Sequence, residues 1–343
     1  MTTKNKVRFA FVGLGWWSNM LADAAKKSDR IEIAACLSRS KNKMADFTKH
    51  YGGRICESYE DLVSSKDIDA IILTTPNSLH MEQAVKALLH GKNVYVEKPM
   101  ALNTEECLKM IDASKASGSI LMVGHNARRL ARYRKAKELI EDGAVGDIIL
   151  AEASSSGELG MRLTPQTWRW YRNESPGGPL TSFSIHQADN LNYLVGKVTK
   201  VSAFINKLVG PSEADDVVSS ILQFENGALG YLGGSFITPD RNIFQINGTE
   251  GVVFIDEEGG STSYQKKGTE KMIKFDLPDS NIQRTDSLFE EMDEFARCIQ
   301  TNTLPEVTGE VGARAVAMLD AIIESSQKGG APVEVENIGS LDK

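Results

Sequence analysis

The sequence predicts an α/β protein with two parts. A doubly wound parallel sheet is expected first, then an α+β region built on a mostly antiparallel sheet with one face on helices. Three observations carry this. Five apolar β-type runs alternate with helical spacing in the first third, and uninterrupted apolar strands belong to parallel sheets covered on both faces. After about residue 126 the strand candidates become longer and more polar, as in a half-buried antiparallel sheet. The 343 residues exceed what one compact domain usually holds. The expected division is 1–126 and 127–343.

The β-type runs of the first part are 7–12, 31–37, 70–73, 93–96 and 120–123. Between them, residues 78–90 set Leu79, Ala84, Val85, Leu88 and Leu89 mostly on one helical face, and 104–117 do the same with Leu108, Ile111 and Ala116. A helix over 130–142 stops at Gly143. Strands are then expected at 147–155, 198–207, 217–225, 228–236, 242–248 and 251–256. Turn residues such as Glu225-Asn226-Gly227 separate them. Two closing helices are expected near 286–300 and 309–327. The basic run 128–137 fits a helix with one buried stripe and a solvated charged face.

Composition narrows the function. Hydrophobic content of 41% and charged content of 25% are ordinary for a soluble protein. A net charge of −7 argues against a nucleic-acid or anionic-membrane binder. Cys36, Cys56, Cys107 and Cys298 show no CxxC spacing, so reduced thiols and a cytoplasmic location are expected. No N-terminal signal peptide and no run long enough to cross a bilayer are read. HExxH, clustered Cys/His and Gly-x-Ser-x-Gly patterns are missing, so no metal and no serine nucleophile is expected.

The chemistry-bearing motifs sit at strand ends. Gly13 and Gly15 follow the first strand. The first permits a tight turn, and the second lets backbone approach a pyrophosphate at the start of a helix. Ser18 stands where a third glycine would allow close helix–strand packing. Trp16 and Trp17 occupy the helix start, where they can wall a cofactor cleft or simply pack. After the second strand come Ser38, Arg39 and Ser40, with no carboxylate to hold a ribose 2′-hydroxyl. Hydroxyls and a guanidinium favour a 2′-phosphate, so NADP(H) is preferred over NAD(H). The plainer alternative is a helix start capped by Ser38 or Ser40. Thr75, Pro76 and Asn77 end the 70–73 strand, and Glu97-Lys98-Pro99 ends the next. A lysine at such an edge can hold a substrate oxygen and shuttle a proton.

With Gly13-Leu14-Gly15, Thr75-Pro76-Asn77 and His80, and Glu97-Lys98-Pro99, followed by 123–129 (VGHNARR) and 177–196 (GGPLTSFSIHQADNLNYLVG), the chain resembles the glucose–fructose oxidoreductase/inositol dehydrogenase/MocA family over nearly its whole length. The resemblance implies a Rossmann domain followed by an open-faced sheet domain, with Lys98 and His186 facing a substrate above the nicotinamide. Many members carry aspartate four residues before the histidine, where this chain has Ser182. A hydroxyl there can orient but cannot supply negative charge.

The expected function is an NAD(P)-dependent oxidoreductase acting on a CH–OH group of a sugar, polyol or cyclic diol, with Lys98 and His186 in proton transfer. Gly13, Gly15, Trp16, Trp17, Ser38, Arg39, Ser40, Thr75, Pro76, Asn77, His80, Glu97 and Lys98 are the cofactor candidates. Asn126, Trp168, Arg169, Ser182, His186 and Lys98 are the substrate candidates, and His125 also suits a cleft. Aromatic faces suit sugar C–H faces, and arginine suits an anionic group. Two alternatives stand: a non-catalytic cofactor-binding regulator, and a redox-neutral glycoside-cleaving enzyme with a recycled bound cofactor. A homodimer or homotetramer through the second-domain sheet is expected, because large apolar sheet faces are rarely left in water.

Overall fold

The computed structural model describes residues 6–339. By contacts the chain groups into two units. The first holds residues up to 101, 105–126 and 285–313, and the second holds 102–104, 127–284 and 314 onward.

The first unit alternates strand and helix. In order they are β1 (Val7–Val12), α1 (Trp16–Lys26), β2 (Ile31–Leu37), α2 (Lys41–Tyr51), β3 (Arg54–Ile55), α3 (Tyr59–Ser64), β4 (Ala70–Leu73), α4 (His80–Leu89), β5 (Asn93–Glu97), α5 (Thr104–Ser117) and β6 (Leu121–Gly124). The six strands pair in the order β3-β2-β1-β4-β5-β6, every pair parallel. β4 and β6 are buried at every residue because helices cover both faces. The chain runs outward from β1 to β3, then crosses back to β4. The carboxyl ends of β1 and β4 therefore flank the switch point, where such sheets bind ligands.

The core of this unit also draws on a distant segment. Helix α9 (Ser280–Thr301) sets Leu288, Met292, Phe295 and Ala296 at helical spacing onto Phe9, Tyr95 and Met122. The Phe295 ring lies 5.5 Å from that of Phe9 and 6.1 Å from that of Tyr95. The sequence placed the start of this helix near 286. Its first residues are mostly exposed and carry no apolar stripe, which is why the earlier start was missed.

The second unit contains α6 (Ala131–Glu141), β7 (Ile148–Ser156), α7 (Leu159–Arg162), α8 (Ile185–Leu194), β8 (Val198–Asn206), β9 (Val217–Phe224), β10 (Leu229–Ser235), β11 (Arg241–Gly248), β12 (Gly251–Asp256), β13 (Ser261–Lys266) and β14 (Met272–Lys274). After α9 come α10 (Gly309–Gln327) and β15 (Val333–Glu334). Nine strands form one sheet in the order β14-β13-β12-β11-β7-β10-β9-β8-β15. Only β7 and β10 run parallel; the other neighbours are antiparallel. In β9, buried Val218, Ser220, Leu222 and Phe224 alternate with exposed Ser219, Ile221 and Gln223, so one face is covered and the other is open. Helix α8 packs on β7, and α6 packs on β12 and β13.

The basic run before and within α6 is not the solvated face its periodicity predicts. Arg128, Arg129 and Arg132 are buried. Arg128 bonds Asp189 of α8 through two nitrogens, at 2.5 and 2.9 Å, and Arg132 bonds Glu257 at 2.8 Å. Buried guanidinium groups persist only when paired in this way.

Candidate active site

At the carboxyl edge of the first sheet, Gly13 follows β1 with φ of +87°. A Cβ there would stand 2.8 Å from the Thr74 carbonyl oxygen at the end of β4, so only glycine fits. Gly15 differs, since nothing lies within 4 Å of where its Cβ would be. It is the N-cap of α1, makes no side-chain cap, and precedes a first turn without acidic residues. Open backbone at a helix start is a cradle for a phosphate group, which a side chain at Gly15 would fill. The residues present thus fit a dinucleotide. Ser18 is fully buried on the inner side of α1.

The two tryptophans have separate fates. Trp16 is 70% exposed and meets Trp17 edge-on at 5.1 Å. Trp17 turns inward, and its indole N–H donates to Glu97. After β2, the Ser40 hydroxyl accepts the Lys43 N–H at 3.4 Å and caps α2, while Ser38 accepts the Ser40 N–H. The helix-cap alternative is therefore realised at Ser40. Arg39 between them is exposed.

The end of β4 is clamped to the end of β5. His80, buried at the start of α4, contacts the Thr75 carbonyl through Nε2 and the Pro99 carbonyl through Nδ1, both at 3.0 Å. The Thr75 hydroxyl donates to Gln83 at 2.7 Å, and Asn77 is buried in the single turn between Pro76 and His80. The Lys98–Pro99 peptide is cis, and Lys98 is half-buried.

Glu97 is buried. Burial pushes its carboxyl up from the ordinary value, against the opposing pull of the Trp17 N–H and the Lys98 charge. Past β6, Asn126 is buried with its amide on the Ser287 hydroxyl at 3.2 Å, and His125 is fully buried.

In the second unit, His186 is the second residue of α8 and is half-buried. One turn of π-helix, Leu180–Ser184, leads into it. The sequence gives no sign of that wide turn, a feature common at functional sites. Ser182, within it, lies 3.2 Å from the hydroxyl of fully buried Ser175. The position where relatives are expected to carry aspartate is thus part of a neutral hydroxyl pair. Helix α8 itself is anchored by Asp189 on Arg128 and by Gln187 on the Tyr133 hydroxyl. Arg169 stacks over Trp168 at 4.0 Å, and Arg172 pairs with Asp215 at 3.1 Å. Burial raises the Asp215 carboxyl in spite of that arginine.

Tyr95, Gly124 and Glu291, which join Glu97 in one buried group, were not among the sequence candidates. Among the described residues no group of three or more His, Cys, Asp or Glu side chains is placed to hold a metal ion, and no helix is long and apolar enough to cross a membrane.

Comparison with known proteins agrees with this architecture. Residues 7–125 match the model of an oxidoreductase family with an NAD-binding Rossmann fold, and residues 133–254 match the GFO/IDH/MocA C-terminal domain. The chain belongs to the Gfo/Idh/MocA family of NAD(P)-dependent oxidoreductases. It is 27% identical to the 1,5-anhydro-D-fructose reductase of Ensifer adhaerens, covering 89% of this chain and 91% of that one. It is 30% identical to the 2,7-anhydro-N-acetylneuraminate hydratase of Mediterraneibacter gnavus, over 73% and 67% of the two chains. A crystal structure from Desulfitobacterium hafniense, described as a candidate NADPH-dependent oxidoreductase, superposes with a TM-score of 0.89 at 30% identity, covering 96% of this chain and 98% of that one.

The raised Glu97 carboxyl has a measurable consequence. In the folded protein it holds a proton to higher pH than the unfolded chain does. Its contribution to stability is therefore full below the ordinary glutamate value and declines as pH rises through the folded value. Glu97→Gln removes this slope. Relative to wild type, the variant is expected to gain stability as pH rises from about 4.5 toward the raised folded value, whatever its constant offset. Urea midpoints across that range measure the difference, and a flat difference would contradict it.

Proposed function

We propose that the protein transfers hydride between a nicotinamide cofactor, NADP(H) in preference to NAD(H), and a CH–OH carbon of a cyclic polyhydroxylated substrate, with Lys98 and His186 in proton transfer. We further read residues 1–126 as the cofactor domain and 127–343 as the substrate and oligomerisation domain. The observation that carries the reading is the grouping of Gly13, the open backbone at Gly15, the His80 clamp and Glu97-Lys98 at the carboxyl edge of one parallel sheet. The cofactor supplies or accepts the hydride, and the chain's own residues do the rest. Gly15 and the start of α1 would hold the diphosphate, with Trp16 beside them, and Thr75, Pro76 and Asn77 would line the same edge. Lys98 holds the substrate oxygen and exchanges a proton with it, and the imidazole of His186 serves as a second proton carrier near working pH. Asn126, Trp168, Arg169 and Ser182 orient the substrate.

The curated relatives narrow the substrate class. Two of them are named for anhydrosugars, so a cyclic anhydrosugar is the first choice here. The hydratase among them also favours a second reading, in which the cofactor stays bound and is restored in each cycle, giving net redox-neutral products. Co-purifying nicotinamide together with products of unchanged oxidation state would separate it from the first. Four buried, unbridged cysteines fit a reducing cytoplasm.

The central test is a panel of anhydrosugars, inositols, aldoses and ketoses followed by NADPH absorbance in both directions. Lys98→Ala should lose about 10²- to 10⁴-fold in turnover while cofactor binding stays largely intact. Near-wild-type turnover would remove Lys98 from the chemistry.

Cofactor choice rests on Ser38, Arg39 and Ser40 with no carboxylate among them. kcat/KM should favour NADP(H) by about tenfold or more, and a clear advantage for NAD(H) overturns the assignment.

The open face of the second sheet carries Phe204, Ile221 and Leu229, each more than half exposed in the single chain. We infer a homodimer or homotetramer through this face. In sedimentation, wild type should run as an oligomer and Ile221→Glu should shift toward monomer. A monomeric wild type would end the idea.

A further inference from the structure

Glu97 closes β5, and its carboxylate takes hydrogen bonds from three directions. The Trp17 indole N–H of α1 donates to Oε1 at 2.5 Å. The Tyr95 hydroxyl, two residues back on the same face of the strand, reaches that oxygen at 3.2 Å and Glu291 Oε2 of α9 at 3.0 Å. The Lys98 backbone N–H donates to Oε2 at 3.2 Å. Tyr95 has one hydroxyl proton for two carboxyl neighbours, so the second contact needs a proton on a carboxyl. Glu97, Tyr95 and Glu291 are all buried. Gly124, the register partner of Glu97 on β6, keeps the group together: a Cβ there would collide with the Tyr95 hydroxyl and stand 3.0 Å from Glu97 Oε1. Four elements, α1, β5, β6 and α9, therefore fix one carboxylate beside one lysine.

We propose that Trp17 and Glu291 are positioning residues for Lys98. They hold the Glu97 carboxylate in one orientation, Trp17 directly and Glu291 through Tyr95, and so set the conformation and electrostatic surroundings of the lysine that follows it. Trp17 thereby links the glycine-loop helix to the lysine-bearing strand end, and Glu291 links α9 to the same point. A phenylalanine at 17 would fill much of the same space without donating a hydrogen bond, so the assignment concerns the N–H and not the bulk. The inference rests on the reading of Lys98 as a proton carrier, and its test does not need a known substrate.

Free protein is labelled with trace acetic anhydride. Acetylation of Lys98 is read by peptide mass spectrometry against Lys109, an exposed lysine on α5. In Trp17→Phe and in Glu291→Gln, the Lys98 rate relative to Lys109 should change by about threefold or more, in the direction given by Glu97→Gln, with the thermal midpoint little altered. The double variant Trp17→Phe/Glu97→Gln should go no further than Glu97→Gln alone, because both act through one bond. With a substrate that turns over, Glu291→Gln should lose about tenfold in kcat while KM for the cofactor holds. An unchanged Lys98 rate in the folded variants, or effects that simply add, overturns the proposal. Should Trp17→Phe fail to fold, Glu291→Gln carries the same test from a different helix. Full turnover in Lys98→Ala would instead defeat the role of Lys98 in the reaction, leaving the labelling to judge the network by itself.

Discussion

One close approach organises the first unit. The backbone after β1 passes so near the Thr74 carbonyl that no Cβ fits at Gly13, and a φ of +87° is needed to make the turn. Because β1 and β4 are neighbours across the switch point, this turn decides where α1 begins and which way its first N–H groups face. The open backbone at Gly15, the inward Trp17 and the outward Trp16 all follow from that starting point. A bulkier residue at Gly13 would not merely strain a loop; it would part the two strand ends that the candidate site is built on.

The same edge shows how a parallel sheet assembles a site from separated stretches of chain. Each strand ends in a short segment with its own local chemistry: glycine, a Thr-Pro turn, a Glu-Lys-Pro turn. Side chains from the next element then tie neighbouring ends together. His80 joins β4 to β5 through two carbonyl oxygens, and Trp17 joins α1 to β5 through Glu97. In the second unit a comparable task falls to buried ion pairs. Arg128 and Arg132 fix α8 and the loop after β12, so α8 is held by charge and not by apolar packing alone. Such pairs stabilise the geometry only while both partners remain, since a lone buried charge is costly.

What could be read from the sequence follows from how local each signal is. The bounds of β1, β2 and β4 were legible because each is a mostly apolar run, broken only by Arg8 in β1 and Glu32 in β2, between turn residues. The turns at the strand ends were legible for a similar reason: glycine and proline constrain the backbone wherever they stand. The two-residue β3 and the polar, exposed β14 have no such signature. Buried charge was misread in the 128–137 run because periodicity records only the spacing of apolar residues. The carboxylates that make burial of Arg128 and Arg132 tolerable lie far along the chain. The Tyr95–Glu291 contact spans 196 residues and the π-helical turn before His186 differs in no residue type from an ordinary helix, so neither leaves a local trace.

The return of α9 to the first unit bears on how the chain can be made. Phe9 and Tyr95 leave the ribosome about 200 residues or more before Phe295, which covers both. Until it arrives, the earliest sheet carries an uncovered apolar surface through the synthesis of β7 to β14, the sort of delay that exposes a nascent chain to aggregation or chaperones. The first sheet's segment is therefore continuous in sequence but not in timing: it reaches its final form only once α9 has been made.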